Sequence, residues 1–179
     1  MKSIKFIREL IQTLSESEKS NYDYILNSFD FNSINFKPFE SWSDKKYTRN
    51  CIYRDERFEL LLLCWQEGQQ TSIHGHDGED CWVFLLEGKM QEMFYAMDDQ
   101  GNVFETNSQT ITPGEKTFMN DQIGFHRLAN TNNGKTISLH LYAKPIENCS
   151  FYDEHSNEFV RKKLQYDTVQ EDLLMTSVD

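Results

Sequence analysis

The sequence predicts a mainly β protein, a sandwich or barrel of short strands with helices added at its N-terminal end. Near the start of the chain, Ile4, Ile7, Leu10, Ile11 and Leu14 fall at helical spacing. Beyond about Tyr47 the pattern changes to short apolar or alternating runs. Turn-forming clusters, Asp99-Gln100-Gly101, Pro113-Gly114 and Asn132-Asn133-Gly134, separate those runs.

Residues 3–14 form the first expected helix. Ser15-Glu16-Ser17-Glu18 has the spacing of a capping box, so a second helix is expected to run through Tyr24, Ile25 and Leu26. Residues 30–46 have no period and are expected to be irregular. Phe58–Trp65 and Trp82–Leu86 are continuous apolar runs that suit buried strands. Lys89–Met97 alternates less cleanly. Thr136–Tyr142 places Ile137, Leu139 and Leu141 on one face and Ser138, His140 and Tyr142 on the other. The C-terminal segment is charged and weakly patterned. One domain is expected over residues 1–179, with helices within 1–30 and the barrel from about 47 to 170.

An aromatic fraction of 13% argues against disorder of the whole chain. A net charge of -11 argues against nucleic acid or an anionic membrane as partner, and means that an anionic substrate needs a local cation. There is no stretch of roughly 18 apolar residues that could cross a membrane. Lys5, Arg8 and Glu9 interrupt the N-terminal apolar pattern, which breaks any signal-peptide core, and a cytoplasmic location is expected. Cys51, Cys64, Cys81 and Cys149 form no C-x-x-C pair, and a disulfide framework is not needed at this size. Cys51 and Cys64 are expected to fill the core. A monomer is expected, since no exposed apolar stripe stands out.

Four of the five histidines fall in one pattern: Gly68-x5-His74-x-His76, Cys81, Gly88, His126 and Ser138-x-His140-x-Tyr142. Residues i and i+2 of an extended segment point to the same side, so His74 and His76 can offer two imidazoles to one metal, with His126 as third ligand. Imidazole suits iron, zinc, copper and nickel, so the histidines alone do not select the ion. His155 is left over and is expected to be exposed and uninvolved.

The stretch Gly68 to Gly88 resembles the first cupin motif: glycine, five residues, His-x-His, an acidic residue, then glycine. Cys81 stands where the usual glutamate ligand would be, and the second motif is partly present as Gly124-x-His126-x3-Asn130. With Tyr47-Thr48-Arg49-Asn50, Cys64-Trp65, Asn120-Asp121-x-Ile123-Gly124-x-His126-Arg127 and Ser138-Leu139-His140-Leu141-Tyr142, the chain resembles cysteine dioxygenase, the thiol dioxygenase branch of the cupins, from about Tyr47 to Tyr152. The resemblance implies a cupin-type β-barrel or jelly roll with N-terminal helices. It implies Fe(II) on His74, His76 and His126, and addition of both atoms of O2 to the thiol of L-cysteine to give the sulfinate. No separate redox cofactor is implied.

Arg49 is the expected substrate anchor, because a guanidinium grips a carboxylate through two parallel hydrogen bonds. Tyr47, two residues earlier, points to the same side and can add a hydroxyl donor. Ser138, His140 and Tyr142 are expected to line the cavity, with serine and histidine orienting the tyrosine. Cys81 and Tyr142 match the pair that forms a thioether cross-link in some members. Trp65 is placed near the pocket and Cys149 near its mouth. Ala143-Lys144-Pro145 departs from the serine and consecutive prolines of some relatives; a cis bond before Lys144 would cost roughly 2.5–4 kcal/mol. The readings kept beside this one are a thiol dioxygenase for 3-mercaptopropionate or cysteamine, a noncatalytic metal-binding cupin sensor, and a zinc or nickel hydrolase or isomerase.

Overall fold

The structure, a computed structural model, describes residues 2–170. The parts of the expected domain at Met1 and at 171–179 lie outside them. Helix α1 spans Lys2–Ser15 and buries Ile7, Leu10 and Leu14; α2 spans Tyr22–Ser28 and buries Tyr22, Ile25 and Leu26. The expected capping box does not form. Ser15 is still the last residue of α1, so it cannot take the extended backbone of an N-cap. A 3-10 turn at Lys19–Asn21 intervenes, and Asn21 precedes α2 without a side-chain cap bond. Within the expected irregular stretch, 3-10 turns at Phe31–Ser33 and Lys37–Phe39 carry the buried Phe31 and Phe39, and Ile34 and Phe36 between the turns are buried too.

Eleven strands follow: β1 Thr48–Arg54, β2 Glu59–Trp65, β3 Cys81–Glu87, β4 Met90–Met97, β5 Val103–Ile111, β6 Lys116–Met119, β7 Phe125–Asn130, β8 Thr136–Tyr142, β9 Asn148–Asp153, β10 Glu158–Lys163 and β11 Thr168–Val169. One sheet has the order β11-β1-β2-β8-β3-β6; β5-β4-β7 and β10-β9 form two smaller ones. His74 bridges β7 at His126 and β9 at Phe151, so the smaller sheets join into a second layer through the segment between β2 and β3.

The six-stranded sheet is covered on both faces, which explains its continuous apolar runs. Leu60, Leu62, Trp82, Phe84, Ile137, Leu139 and Leu141 pack on the helices and 3-10 turns. Leu61, Leu63, Trp65, Val83 and Leu85 face Met90, Ile111, Leu128 and Cys149 of the second layer. Two layers of antiparallel strands around one interior make a jelly roll, a double-stranded β-helix, rather than one closed hydrogen-bonded barrel. Strands β9 and β10 were not legible in advance because β10 is exposed along nearly its whole length, so apolar alternation is weak there. Among the described residues no peptide bond is cis, and Lys144 takes a φ of 101° in the departing loop.

Candidate metal centre and substrate pocket

The segment after β2 runs as an extended insert beside β7. His74 and His126 exchange both backbone hydrogen bonds, N to O at 3.0 Å each way, so they are directly opposed and their side chains leave on the same side. His76, two residues on, shares that side. The three rings converge: His126 Nε2 lies 3.2 Å from His74 Nε2 and 3.1 Å from His76 Nε2, and all three residues are buried. Gly124 starts β7 with a φ of +118°, and a Cβ there would meet the Tyr95 carbonyl oxygen at 2.7 Å, so glycine is required just ahead of His126. Asp121 fixes the other ligand strand, accepting the backbone N–H of His76 at 2.8 Å and of Gly78 at 2.6 Å.

The outer nitrogens decide what the inner ones can do. His74 Nδ1 lies 3.0 Å from the Ser72 carbonyl, which can only accept, so Nδ1 carries the proton. His126 Nδ1 donates likewise to the buried Glu92 carboxylate at 2.7 Å. Both Nε2 atoms therefore turn lone pairs toward each other, an arrangement that suits a shared cation. Burial, then the neighbouring His126, lowers the His74 pKa to about 3 and pushes that of His76 well below the ordinary value, so both are neutral donors at physiological pH. His74, His76 and His126 thus fit a divalent transition metal. Glu92 was missed in the sequence. It sits on β4, its other oxygen accepts from Gln109 at 2.8 Å, and it lies behind His126 rather than among the ligands. Its signal was a carboxylate two residues after Met90, in the inward register of a strand.

The opposite wall of the cavity is the inner face of the first sheet. Its cross-strand rows are Arg49–Leu63–Ser138–Leu85, then Cys51–Leu61–His140–Val83, then Glu59–Tyr142–Cys81. Ser138, His140 and Tyr142 therefore share the cavity side of β8. Trp65 Nε1 donates to Ser138 Oγ at 2.9 Å, and Ser138 Oγ is hydrogen-bonded to His140 Nε2, also at 2.9 Å. His140 Nδ1 is buried with no hydrogen-bond partner. Against the expected orienting bond, His140 meets Tyr142 as a stacked ring, with centroids 6.1 Å apart. Tyr142 lies directly opposite Cys81, its cross-strand neighbour on β3. Burial, then the Cys81 charge, raises the Tyr142 pKa well above its usual value and keeps the hydroxyl protonated.

Arg49 is 8% exposed, and its Nε and Nη2 have no hydrogen-bond partner. Glu59 Oε1 lies 3.7 Å from Nη2, within ion-pair range but beyond hydrogen-bond range. Burial opposes the guanidinium charge, but Tyr142, Glu59 and the other neighbours outweigh it and raise the pKa. Arg49, Tyr47, the three metal-site histidines, His140, Tyr142 and Cys149 line one small cavity. Tyr47 stacks on Trp65 with ring centroids 4.4 Å apart. Cys149 donates its thiol to the Gly75 carbonyl at 2.9 Å, and burial pushes its pKa up to about 12. His155 is exposed and away from this cavity.

Three convergent imidazoles thus share one small cavity with a buried guanidinium and a tyrosine. The comparisons with known proteins agree with this chemistry. The sequence pattern of the family described as "Cysteine dioxygenase type I" matches residues 2–155. The chain is 28% identical over 171 residues to cysteine dioxygenase type 1 of Danio rerio, covering 89% of this chain and 85% of that one. It is 29% identical over 136 residues to the protein of the same name from Rattus norvegicus, covering 74% and 68%. In fold it is similar to a Klebsiella pneumoniae protein with a double-stranded beta-helix domain, with TM-score 0.51 and 14% identity over 68% of this chain and 96% of that one. No helix among the described residues is long and apolar enough to cross a membrane. With its cupin-type fold, three-histidine site and family match over nearly its whole length, the chain belongs to the cysteine dioxygenase type I family, oxidoreductases that oxygenate thiols.

Proposed function

We propose that the protein is an Fe(II)-dependent cysteine dioxygenase of the cytoplasm, acting as a monomer on L-cysteine. The observation that carries the substrate assignment is the buried Arg49 guanidinium, whose unpaired N–H donors share a cavity with three convergent imidazoles. In this reading His74, His76 and His126 hold the ion, and Arg49 receives the substrate carboxylate with Tyr47 as an added donor. Iron, when bound, supplies the path by which electrons of the soft substrate thiolate reach O2. The balance is one thiol plus one O2 giving one sulfinic acid, with no external reductant.

The chain's own groups orient and exclude. Trp65 and Ser138 hold the His140 ring in place through the Trp65–Ser138–His140 hydrogen-bond chain at the cavity wall. Tyr142 keeps its hydroxyl proton because burial opposes the phenolate, so it donates toward the substrate side. Leu63, Leu128, Ile146, Phe151 and Leu164 close the remaining walls and limit water. The cross-strand pairing of Cys81 with Tyr142 supports a thioether between them, a two-electron oxidation in which O2 takes up the thiol hydrogen and one ring hydrogen and leaves as hydrogen peroxide. Its sign is an intact mass lowered by two hydrogens after turnover, which Cys81→Ala would abolish.

The test is turnover of L-cysteine in ¹⁸O2 by the Fe(II)-loaded protein. Sulfinate carrying two labelled oxygens supports the reading. Sulfinate labelled once, or disulfide as the sole product, contradicts it.

A further inference from the structure

Glu59 on β2 is a fully buried carboxylate that the reaction above does not use. Oε1 accepts the backbone N–H of Ile146 at 3.2 Å, and Oε2 accepts the Tyr166 hydroxyl. Tyr166 is held in turn by Arg54 Nη1 at 3.0 Å. On its remaining side Oε1 faces Arg49 Nη2 at 3.7 Å. The carboxylate thus balances the guanidinium charge without a hydrogen bond to it, and Nε and Nη2 stay without a hydrogen-bond partner in a residue that lines the cavity. A buried guanidinium with no counter-charge is strongly unfavourable, so the empty pocket depends on Glu59 for its charge balance. A ligand carboxylate that docks on Arg49 brings a second negative charge to one cation.

We propose that Glu59 is a specificity-determining positioning residue: it is the internal counter-ion of Arg49, and a substrate carboxylate binds against its charge. This rests on the reading that Arg49 receives the substrate carboxylate. Glu59 then holds carboxylate affinity low enough that small cellular anions do not fill the pocket. Retention requires a ligand that also brings a thiolate to the metal, which selects thiol carboxylates over plain ones.

The test is Glu59→Gln, which keeps the shape and one oxygen acceptor of the carboxylate while removing the charge. Affinities of L-cysteine and cysteamine are measured anaerobically on Fe(II)-loaded protein, and thermal unfolding is followed with and without acetate. The variant binds L-cysteine roughly tenfold more tightly, as loss of a like charge nearby requires, while cysteamine, lacking a carboxylate, does not change. It melts below wild type without ligand and gains more from acetate than wild type does. Equal acetate shifts in the two proteins, or weaker L-cysteine binding by the variant, overturn the proposal. Should Glu59→Gln fail to fold, Glu59→Gln/Arg49→Met decides: recovery of folding supports the counter-ion pair, and failure of both overturns it. A wild type that holds Fe(II) but oxidises no thiol counts against the dioxygenase reading, while the acetate shift still decides the role of Glu59.

Discussion

His126 illustrates how one side chain is defined by what stands behind it. Its Nδ1 is tied to Glu92 at 2.7 Å in a buried site, so the imidazole presents its Nε2 lone pair in a fixed direction. Glu92→Gln keeps the shape and removes the charge. Metal affinity is expected to fall about 10- to 100-fold, read by competition with a chromophoric chelator, with the fold retained. The ligands themselves were legible, because His-x-His on an extended segment leaves little choice of side. The shared inner face of Ser138, His140 and Tyr142 was legible for the same period-2 reason, whereas Arg49 was legible only through the Tyr47-Thr48-Arg49-Asn50 match to the family. Glu92 and Glu59 were not. Each sits in a strand whose other inward residues are apolar, and a lone carboxylate there reads from sequence as an outward-facing residue. Only the partners brought by the fold, His126 for one and Tyr166 with Arg49 for the other, make those positions tolerable. The bond from Trp65 to Ser138 was hidden likewise, since it crosses from β2 to β8.

At the scale of the element, the centre depends on two antiparallel neighbours held in one register, the 69–76 segment and β7. Asn130 N to Gln69 O at 2.9 Å, Thr71 N to Leu128 O at 2.9 Å and the His74–His126 pair set that register. Gly124 allows β7 to begin where it does, and its positive φ and the nearby Tyr95 carbonyl both exclude a side chain. Gly124→Ala is expected to cost on the order of 2 kcal/mol or more, seen as a lower midpoint in chemical denaturation, and to weaken metal binding by displacing His126. A replacement without effect on either would show that His126 is positioned from its C-terminal side alone. In the first sheet β2 and β3 were readable as apolar runs because both faces are buried, and β8 by its alternation. The second layer was harder: β5 is exposed over most of its length, and β9 and β10 follow charge rather than period. The helical pair was read correctly in number, but its junction was not, because α1 extends through the residue expected to cap α2.

Over the whole molecule, the interior concentrates groups that burial forbids to ionise. His74 is held to about 3, and His76 and His140 well below their ordinary 6.5, each chiefly by burial. Below pH 6.5 the unfolded chain therefore binds protons that the metal-free fold refuses, and stability falls as pH drops from about 6.5 toward 3, at about 1.4 kcal/mol per pH unit for each histidine. At the other end, burial raises the thiols of Cys64 to about 11 and Cys149 to about 12 from an ordinary 9.0. The unfolded chain loses those protons first, so stability also declines as pH rises above 9.0. Denaturant midpoints of chelator-treated protein are expected to be highest between these limits and to drop measurably by pH 5; a flat profile from pH 5 to 7.5 would contradict burial of the three neutral imidazoles. The central claim is that the metal centre and Arg49 together make a dioxygenase for L-cysteine. Oxygen uptake by protein loaded anaerobically with Fe(II), comparing L-cysteine, 3-mercaptopropionate and cysteamine at equal concentration with sulfinate quantified, tests it most directly. The expected result is one sulfinate per O2 consumed, fastest with L-cysteine and slowest with cysteamine. Preference for 3-mercaptopropionate or cysteamine would contradict the substrate assignment, and no uptake with any of the three by fully loaded protein would contradict the dioxygenase itself.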